Sequence, residues 1–407
     1  MKTLHNVLEK AIGQLPKQIF GQLLTKKLEA YGIKLSPRER RQLENSILSG
    51  ESKTLRLRRW RWWERENIIL DFGEEETQEI EQQFNEVVER LPQIIEDISN
   101  QLSTDILVTL KEKWRGELRR HRREIAGFQK RLLARWGLPL DLLRMLLTIS
   151  REFGDNVNQV LRETASHNSI HLIEVLTRLH ARGCQVVDEI LVLLSAGFAD
   201  GAMARWRTLH EIAVIALFIG EHGDELAERY ILHQHVESRR AMRDYVYCQE
   251  RLGYEPLDSD EITAVERSYE GVIDRFGSSF SNQYGWAADQ LNNNNPTFVN
   301  IERAVGSSHF RAHYRMASHN VHGNPKGVFF KLGLFEEMDI LLAGPSNFGL
   351  ADPGHSAAIS LVQTSAELAL LSPTLDNIVA LKIMLDLEGE IGQAFGDAHQ
   401  GLVDDVG

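Results

Sequence analysis

IHLIEVLTRLHARGCQVVDEILVLLSAGFADGAMARWRTLHEIAVIALFIGE, residues 170–221, is the stretch from which the architecture can be read outward. Its apolar residues keep helical spacing, and Gly197 and Gly201 interrupt what would otherwise be one long helix. The same periodicity runs through most of the chain. Strand signals are nearly absent apart from one candidate short ribbon, Thr54–Arg58 with Asn67–Phe72. The expectation is therefore an all-α protein with a minor β-ribbon near the front. Helix starts are well marked. Ser36-Pro37-Arg38-Glu39 sets an N-cap, a proline at the first helical position and a capping-box glutamate in order. Asp258-Ser259-Asp260-Glu261 repeats the logic without the proline, and Ser372-Pro373 is expected to open the last long helix. No internal repeat is evident.

The chain has 407 residues, 43% hydrophobic and 26% charged, which is ordinary for a globular protein with ample material for a core. Collagen-like, low-complexity and disulfide-stapled classes are excluded. Two cysteines, Cys184 and Cys248, cannot build a zinc ribbon or a disulfide framework and suit a reducing compartment. The first residues, MKTLHNVLEKAIGQLPKQ, lack the apolar core of a secretory signal. The longest apolar runs, Ile190–Ala196 and Ile212–Gly220, fall short of the roughly 20 residues a membrane span requires. A cytoplasmic protein without membrane association is expected.

The formal charge of −12 is unevenly distributed: residues 1–136 carry a net +5 and residues 137–407 a net −17. That asymmetry, with an expected turn at Trp136-Gly137-Leu138-Pro139, divides the chain into an N-terminal helical unit, 1–136, and a larger helical domain, 137–407. Within the first unit, 74–97 holds nine acidic residues and one basic, whereas 111–136 holds ten basic and three acidic. These segments either pack as an antiparallel pair or each present a solvated face. Irregular stretches are expected at Gly277–Pro296, with its run of four asparagines, and from Gly323 to about Asp352.

Leu55-Arg56-Leu57-Arg58-Arg59-Trp60-Arg61-Trp62-Trp63 mixes guanidinium groups with indoles. Such a mixture either grips single-stranded nucleic acid or forms a strand edge over a small aromatic core. The basic run Lys111–Arg135 either tracks phosphates or answers the acidic segment before it. Together they point to an anionic partner for the front unit, with a regulatory or RNA-binding role.

Two helical segments hold the groups best suited to chemistry. In Arg207-Thr208-Leu209-His210-Glu211, Arg207 and Glu211 lie four apart, about 40° from each other on a face that is expected to be buried. In Arg311-Ala312-His313-Tyr314-Arg315-Met316-Ala317-Ser318-His319-Asn320-Val321-His322, Tyr314 is set at zero. Ser318 then falls at about 40°, Arg311 at about 60°, His322 at about 80° and Arg315 at about 100°. A phenol, a hydroxyl, two guanidiniums and an imidazole thus share one helical face. Imidazole moves protons near neutral pH, and guanidinium matches phosphate. Arg315 could clamp a phosphodiester while His322 moves a proton on or off the attacking or leaving oxygen. The alternative is a packed histidine with exposed arginines. Arg205 and His210, about 140° apart, make a poor site. No metal site is expected. His233 and His235 point apart, and His319 and His322 have no carboxylate beside them. Neither phosphate-cradling glycine loops nor nucleophile-elbow or zinc-protease motifs occur, and no cofactor is implied.

These two segments together resemble a bacterial family of uncharacterised helical proteins, domain of unknown function fifty-six seventy-seven, whose fold is similar to the HEPN superfamily. The likeness rests on Arg207, Thr208, Leu209, His210 and Glu211 in one helix and on Tyr314, Ser318, Val321 and His322 in a later one, and spans roughly residues 165–375. It implies a HEPN-like helical bundle. It further implies a metal-independent endoribonuclease effector of the toxin or anti-phage defence type, with an RNA substrate and an active cleft at a homodimer interface. In that reading a 2′-hydroxyl attacks the adjacent phosphate. His322 would be the acid/base, Arg315 the phosphate clamp, and Arg207 and Glu211 a supporting pair orienting Ser318 or His322. The other class the sequence allows is a non-catalytic helical interaction or nucleotide-binding protein.

Overall fold

The computed structural model describes residues 4–33, 54–61, 64–71, 74–164, 169–335 and 340–405. The Ser36-Pro37-Arg38-Glu39 capping motif and the Trp62-Trp63 pair lie outside the described residues. The described chain is overwhelmingly helical and divides into two compact units, Met1–Arg120 and His121–Gly407.

The first unit contains α1 (Leu4–Ala30) and an antiparallel pair, β1 (Thr54–Arg61) with β2 (Glu64–Asp71), in the register Thr54↔Asp71 to Arg61↔Glu64. The helix that follows, α2, runs from Glu74 to Thr164. Of the two arrangements open to the acidic and basic segments, the structure has the solvated one: both lie along this single helix and most of their side chains are exposed. One expectation is corrected. The Trp136-Gly137-Leu138-Pro139 turn is helical as well. Proline there forfeits one backbone hydrogen bond, but the flanking side chains supply more than that loss. Trp136, Leu140 and Leu143 are fully buried, and the Trp136 indole N–H donates to the Asn347 carbonyl at 3.0 Å. Removing a large apolar side chain from such a position costs about 3–5 kcal/mol, similar to the penalty of an interior proline.

The second unit is a bundle. It comprises the end of α2, α3 (Ile170–Ser195), α4 (Ala199–His222), α5 (Asp224–Leu232), α6 (Gln234–Leu252), α7 (Ser259–Phe276), α8 (Phe298–Ala304), α9 (Arg311–Val321), α10 (Pro325–Phe329), α11 (Ala351–Leu370) and α12 (Leu375–Asp404). Helix α4 is apolar on nearly every side, which is the signature of a helix enclosed by others. It packs against α3, α9 and α11, and Trp206, Leu209, Ala213, Val214 and Phe218 are wholly buried. The glycine break between α3 and α4 is real and falls at Gly197 (φ +80°), whereas Gly201 lies inside α4. A Cβ on Gly197 would also stand 2.7 Å from the Phe128 ring, so both backbone and space require glycine.

The capping box expected at Asp258 and Glu261 opens α7. The last long helix starts slightly later than Ser372-Pro373 suggested, because the Thr374 hydroxyl caps it by accepting from the Asn377 N–H. The Gly277–Pro296 stretch is not a loose loop. It forms two short 3-10 turns, Ser278–Ser281 and Gly285–Ala287. Three donors pin its carbonyls: Arg229 to Trp286, His233 to Asn282 and Arg240 to Ser281.

Candidate functional site

The residues singled out from sequence converge where α4, α8 and α9 meet. Arg207 and Glu211 leave α4 one turn apart, with Arg207 Nε 3.2 Å from Glu211 Oε1. Tyr314, buried on α9, donates its hydroxyl to the same Glu211 oxygen. Two guanidiniums lie within cation–π range of the Tyr314 ring, Arg207 at 4.9 Å and Arg311 at 5.1 Å from its centroid. Phe298 of α8 stacks on that ring at 5.0 Å. Burial, and next the hydrogen bond to Glu211, push the Tyr314 phenol well above its ordinary pKa. It is a neutral donor at physiological pH, not a base.

Two further residues belong to the cluster and were not expected from sequence. Glu302 of α8 is 1% exposed and both its oxygens are engaged: Oε1 accepts from His210 Nε2 at 3.0 Å, Oε2 from Arg311 at 3.0 Å. Burial lowers the pKa of His210, so the ring is neutral with Nε2–H directed at Glu302, while its buried Nδ1 has no partner among the described residues. A histidine within an apolar helix must find a polar partner. That rule predicts that His210 has one, but nothing local to it designates a carboxylate 92 residues later. Tyr284, in the pinned 3-10 region, also feels Glu211 and Arg207, and burial raises its phenol to about 12. Two arginines and two glutamates thus neutralise one another beneath α9.

The polar face of α9 grades from buried Tyr314 through half-buried Ser318 and Arg311 to exposed His322 and Arg315. Helix α9 ends at Val321, and His322 is its C-cap (φ −109°, ψ 145°) with its N–H still on the Ser318 carbonyl at 3.3 Å, so its backbone follows the helix while its φ is no longer helical. Tyr314 is buried, and Ser318 donates its hydroxyl to the Tyr314 carbonyl at 2.8 Å. Arg315 and His322 are exposed, and neither side chain has a hydrogen-bond or ion-pair partner among the described residues. The structure therefore joins Tyr314, Arg207 and Glu211 directly, ties Ser318 to the α9 backbone, and leaves Arg315 and His322 in solvent.

The turn that carries His322 is itself fixed. Asn324 caps α10 by accepting from the Gly327 N–H at 2.9 Å and donates its amide to His319 Nδ1 at 3.0 Å. A Cβ on Gly327 would lie 1.9 Å from the His319 carbonyl oxygen, so α10 can sit this close to the end of α9 only with glycine there. Accepting at Nδ1 assigns the ring proton of neutral His319 to Nε2.

Residues 173–339, which contain all of these groups, match the model of a family of unknown function (DUF5677). No curated protein and no solved structure matches the chain.

Proposed function

We propose that the His121–Gly407 unit is a HEPN-type, metal-independent endoribonuclease, with His322 and Arg315 as its reactive pair. One observation carries the reading: Arg315 in the middle of α9 and His322 just past its end are exposed, and neither side chain has a hydrogen-bond or ion-pair partner among the described residues, whereas the charges of the neighbouring cluster are already balanced. His322 takes the proton of a 2′-hydroxyl, whose oxygen bonds to the adjacent phosphorus. The bond from phosphorus to the 5′-oxygen breaks, that oxygen takes a proton from solvent, and a 2′,3′-cyclic phosphate remains. Arg315 offsets the charge that grows on the non-bridging oxygens. Arg207 and Glu211 act through Tyr314, holding α9 and therefore the turn that presents His322. Phage defence or toxin activity, and pairing of two copies to complete the cleft, are the setting proposed for such an enzyme.

A second reading, a non-catalytic interaction or nucleotide-binding module, draws on Ser318 and Tyr314, whose hydroxyls are spent inside the fold. Incubating total RNA with wild type, His322→Ala and Arg315→Ala in EDTA separates the two. The nuclease reading expects cleavage by wild type alone. Equal cleavage by a folded His322→Ala protein contradicts it.

A further inference from the structure

Helix α3 and the junction of α5 with α6 enclose a cleft of about 730 Å³ that shares no lining residue with the Tyr314 cluster. Its size lies within the roughly 300–1,000 Å³ of small-molecule sites. Tyr230 and Trp286 give it an aromatic wall, packed edge to face with centroids 5.1 Å apart.

The chemistry turns on His233, which lines the cleft and is only 5% exposed. Its Nε2–H donates to the Asn282 carbonyl at 2.9 Å, which makes Nδ1 of the neutral ring a bare lone pair. Burial lowers the pKa of this ring, so the neutral form prevails. The group facing Nδ1 is the Glu237 carboxylate, with Oε1 at 3.7 Å, and Arg240 reaches that same oxygen at 2.8 Å. Arg240 already donates to Glu237 Oε1, so Nδ1 is the acceptor left without a donor among the described residues, and a carboxylate oxygen has room for a second. A ligand amino group, with two N–H bonds, can give one to each.

At the rim, Arg178 and Arg182 stand one turn apart on α3. Arg178 pairs with Glu174 of the same helix, and Arg182 donates to Gln185 and lies 3.6 Å from Glu189. Exposed pairs of this kind contribute only about 0.3–0.5 kcal/mol, so an anionic ligand can displace them readily. We propose that this cleft binds a nucleotide with an amino-bearing base. The base lies against Tyr230 and Trp286, its amino N–H reaches His233 and Glu237, and its phosphate meets Arg178 and Arg182. The nucleotide is either a free monophosphate or one residue of an RNA strand.

Calorimetric titration of the full chain tests the assignment. AMP is expected to bind saturably. Adenosine, which lacks the phosphate, and purine riboside 5′-monophosphate, which lacks the amino group, are each expected to bind at least tenfold more weakly. Glu237→Ala should erase the preference for the amino group, and the double variant Arg178→Ala/Arg182→Ala the preference for phosphate. All three substituted side chains are exposed, so the fold should survive. A short oligoadenylate binding more tightly than AMP through these residues assigns the site to RNA, and equal binding assigns it to the free nucleotide. Absence of saturable AMP binding, or binding indifferent to these substitutions, overturns the proposal. His322→Ala should bind AMP as wild type does, so this result stands apart from any outcome on RNA cleavage.

Discussion

The Tyr314 hydroxyl donates to the Glu211 carboxylate, joining α9 to α4 where the two sequence motifs meet. A hydrogen bond from a buried phenol to a charged acceptor contributes about 1.5–3 kcal/mol. Tyr314→Phe keeps the ring between Phe298, Arg207 and Arg311 and deletes only the hydroxyl. It should lower stability by an amount in that range, seen as a shift in urea midpoint at unchanged slope. An unshifted midpoint would mean that the bond contributes nothing net.

Glu302→Gln removes the charge that Arg311 and His210 share. Breaking a fully buried pair by altering one partner typically costs about 3–5 kcal/mol; here the carboxylate is buried but Arg311 is 25% exposed, so the cost falls below that range. Glu302→Gln should be far more destabilising than Glu211→Gln, whose carboxylate is 29% exposed and can recruit water. Combining Glu302→Gln with Arg311→Met should recover part of the loss, and strict additivity of the two would refute the coupling.

His180 predicts an acid limb in the stability profile. It sits between α2 and α11, with Nε2 3.1 Å from Ser150 Oγ and 3.2 Å from Ser365 Oγ. Burial lowers its pKa from 6.5 to about 4. Between those values the unfolded chain binds a proton that the folded chain refuses, so stability falls as pH drops from about 6.5 to about 4 and levels off below. His180→Gln should flatten the thermal midpoint across that window. An equally steep profile in the variant would assign the acid limb to other groups.

Asn324 holds the turn that presents His322 through two side-chain hydrogen bonds. Losing a helix cap costs about 0.5–2 kcal/mol, so Asn324→Ala should remain folded. If His322 acts as proposed, RNA cleavage should fall at least tenfold through kcat with little change in KM, and Asn324→Asp, which retains the cap acceptor, should recover part of it. An unchanged rate would show that the turn's placement does not matter to function.

The helical architecture was legible because burial imposes a period: the buried Leu132, Trp136, Leu140, Leu143 and Leu147 of α2 recur every three or four residues. The same period could not reveal that acidic and basic segments belong to one helix, nor that the Trp136–Pro139 segment stays helical, since tertiary burial decides that against local preference. At the site, the pairing of Arg207 with Glu211 could be read from helical angles, whereas the burial of Tyr314 beneath its polar face could not. His322 is the C-cap, so the angular argument places its backbone but not the turn that follows it. Glu302 was invisible because its partners lie on other helices, and a glutamate in a helix of seven residues resembles any solvated one.

The most direct test of the account is the chemistry of the cut ends. A defined RNA oligonucleotide is incubated in EDTA with wild type, His322→Ala and Arg315→Ala, beside the same oligonucleotide with a 2′-methoxy group at every position. Wild type should leave 2′,3′-cyclic phosphate ends on the unmodified strand and spare the 2′-methoxy strand, and either variant should cut at least a hundredfold more slowly. Cleavage of the 2′-methoxy strand, or wild-type rates from the variants, would contradict the proposed chemistry.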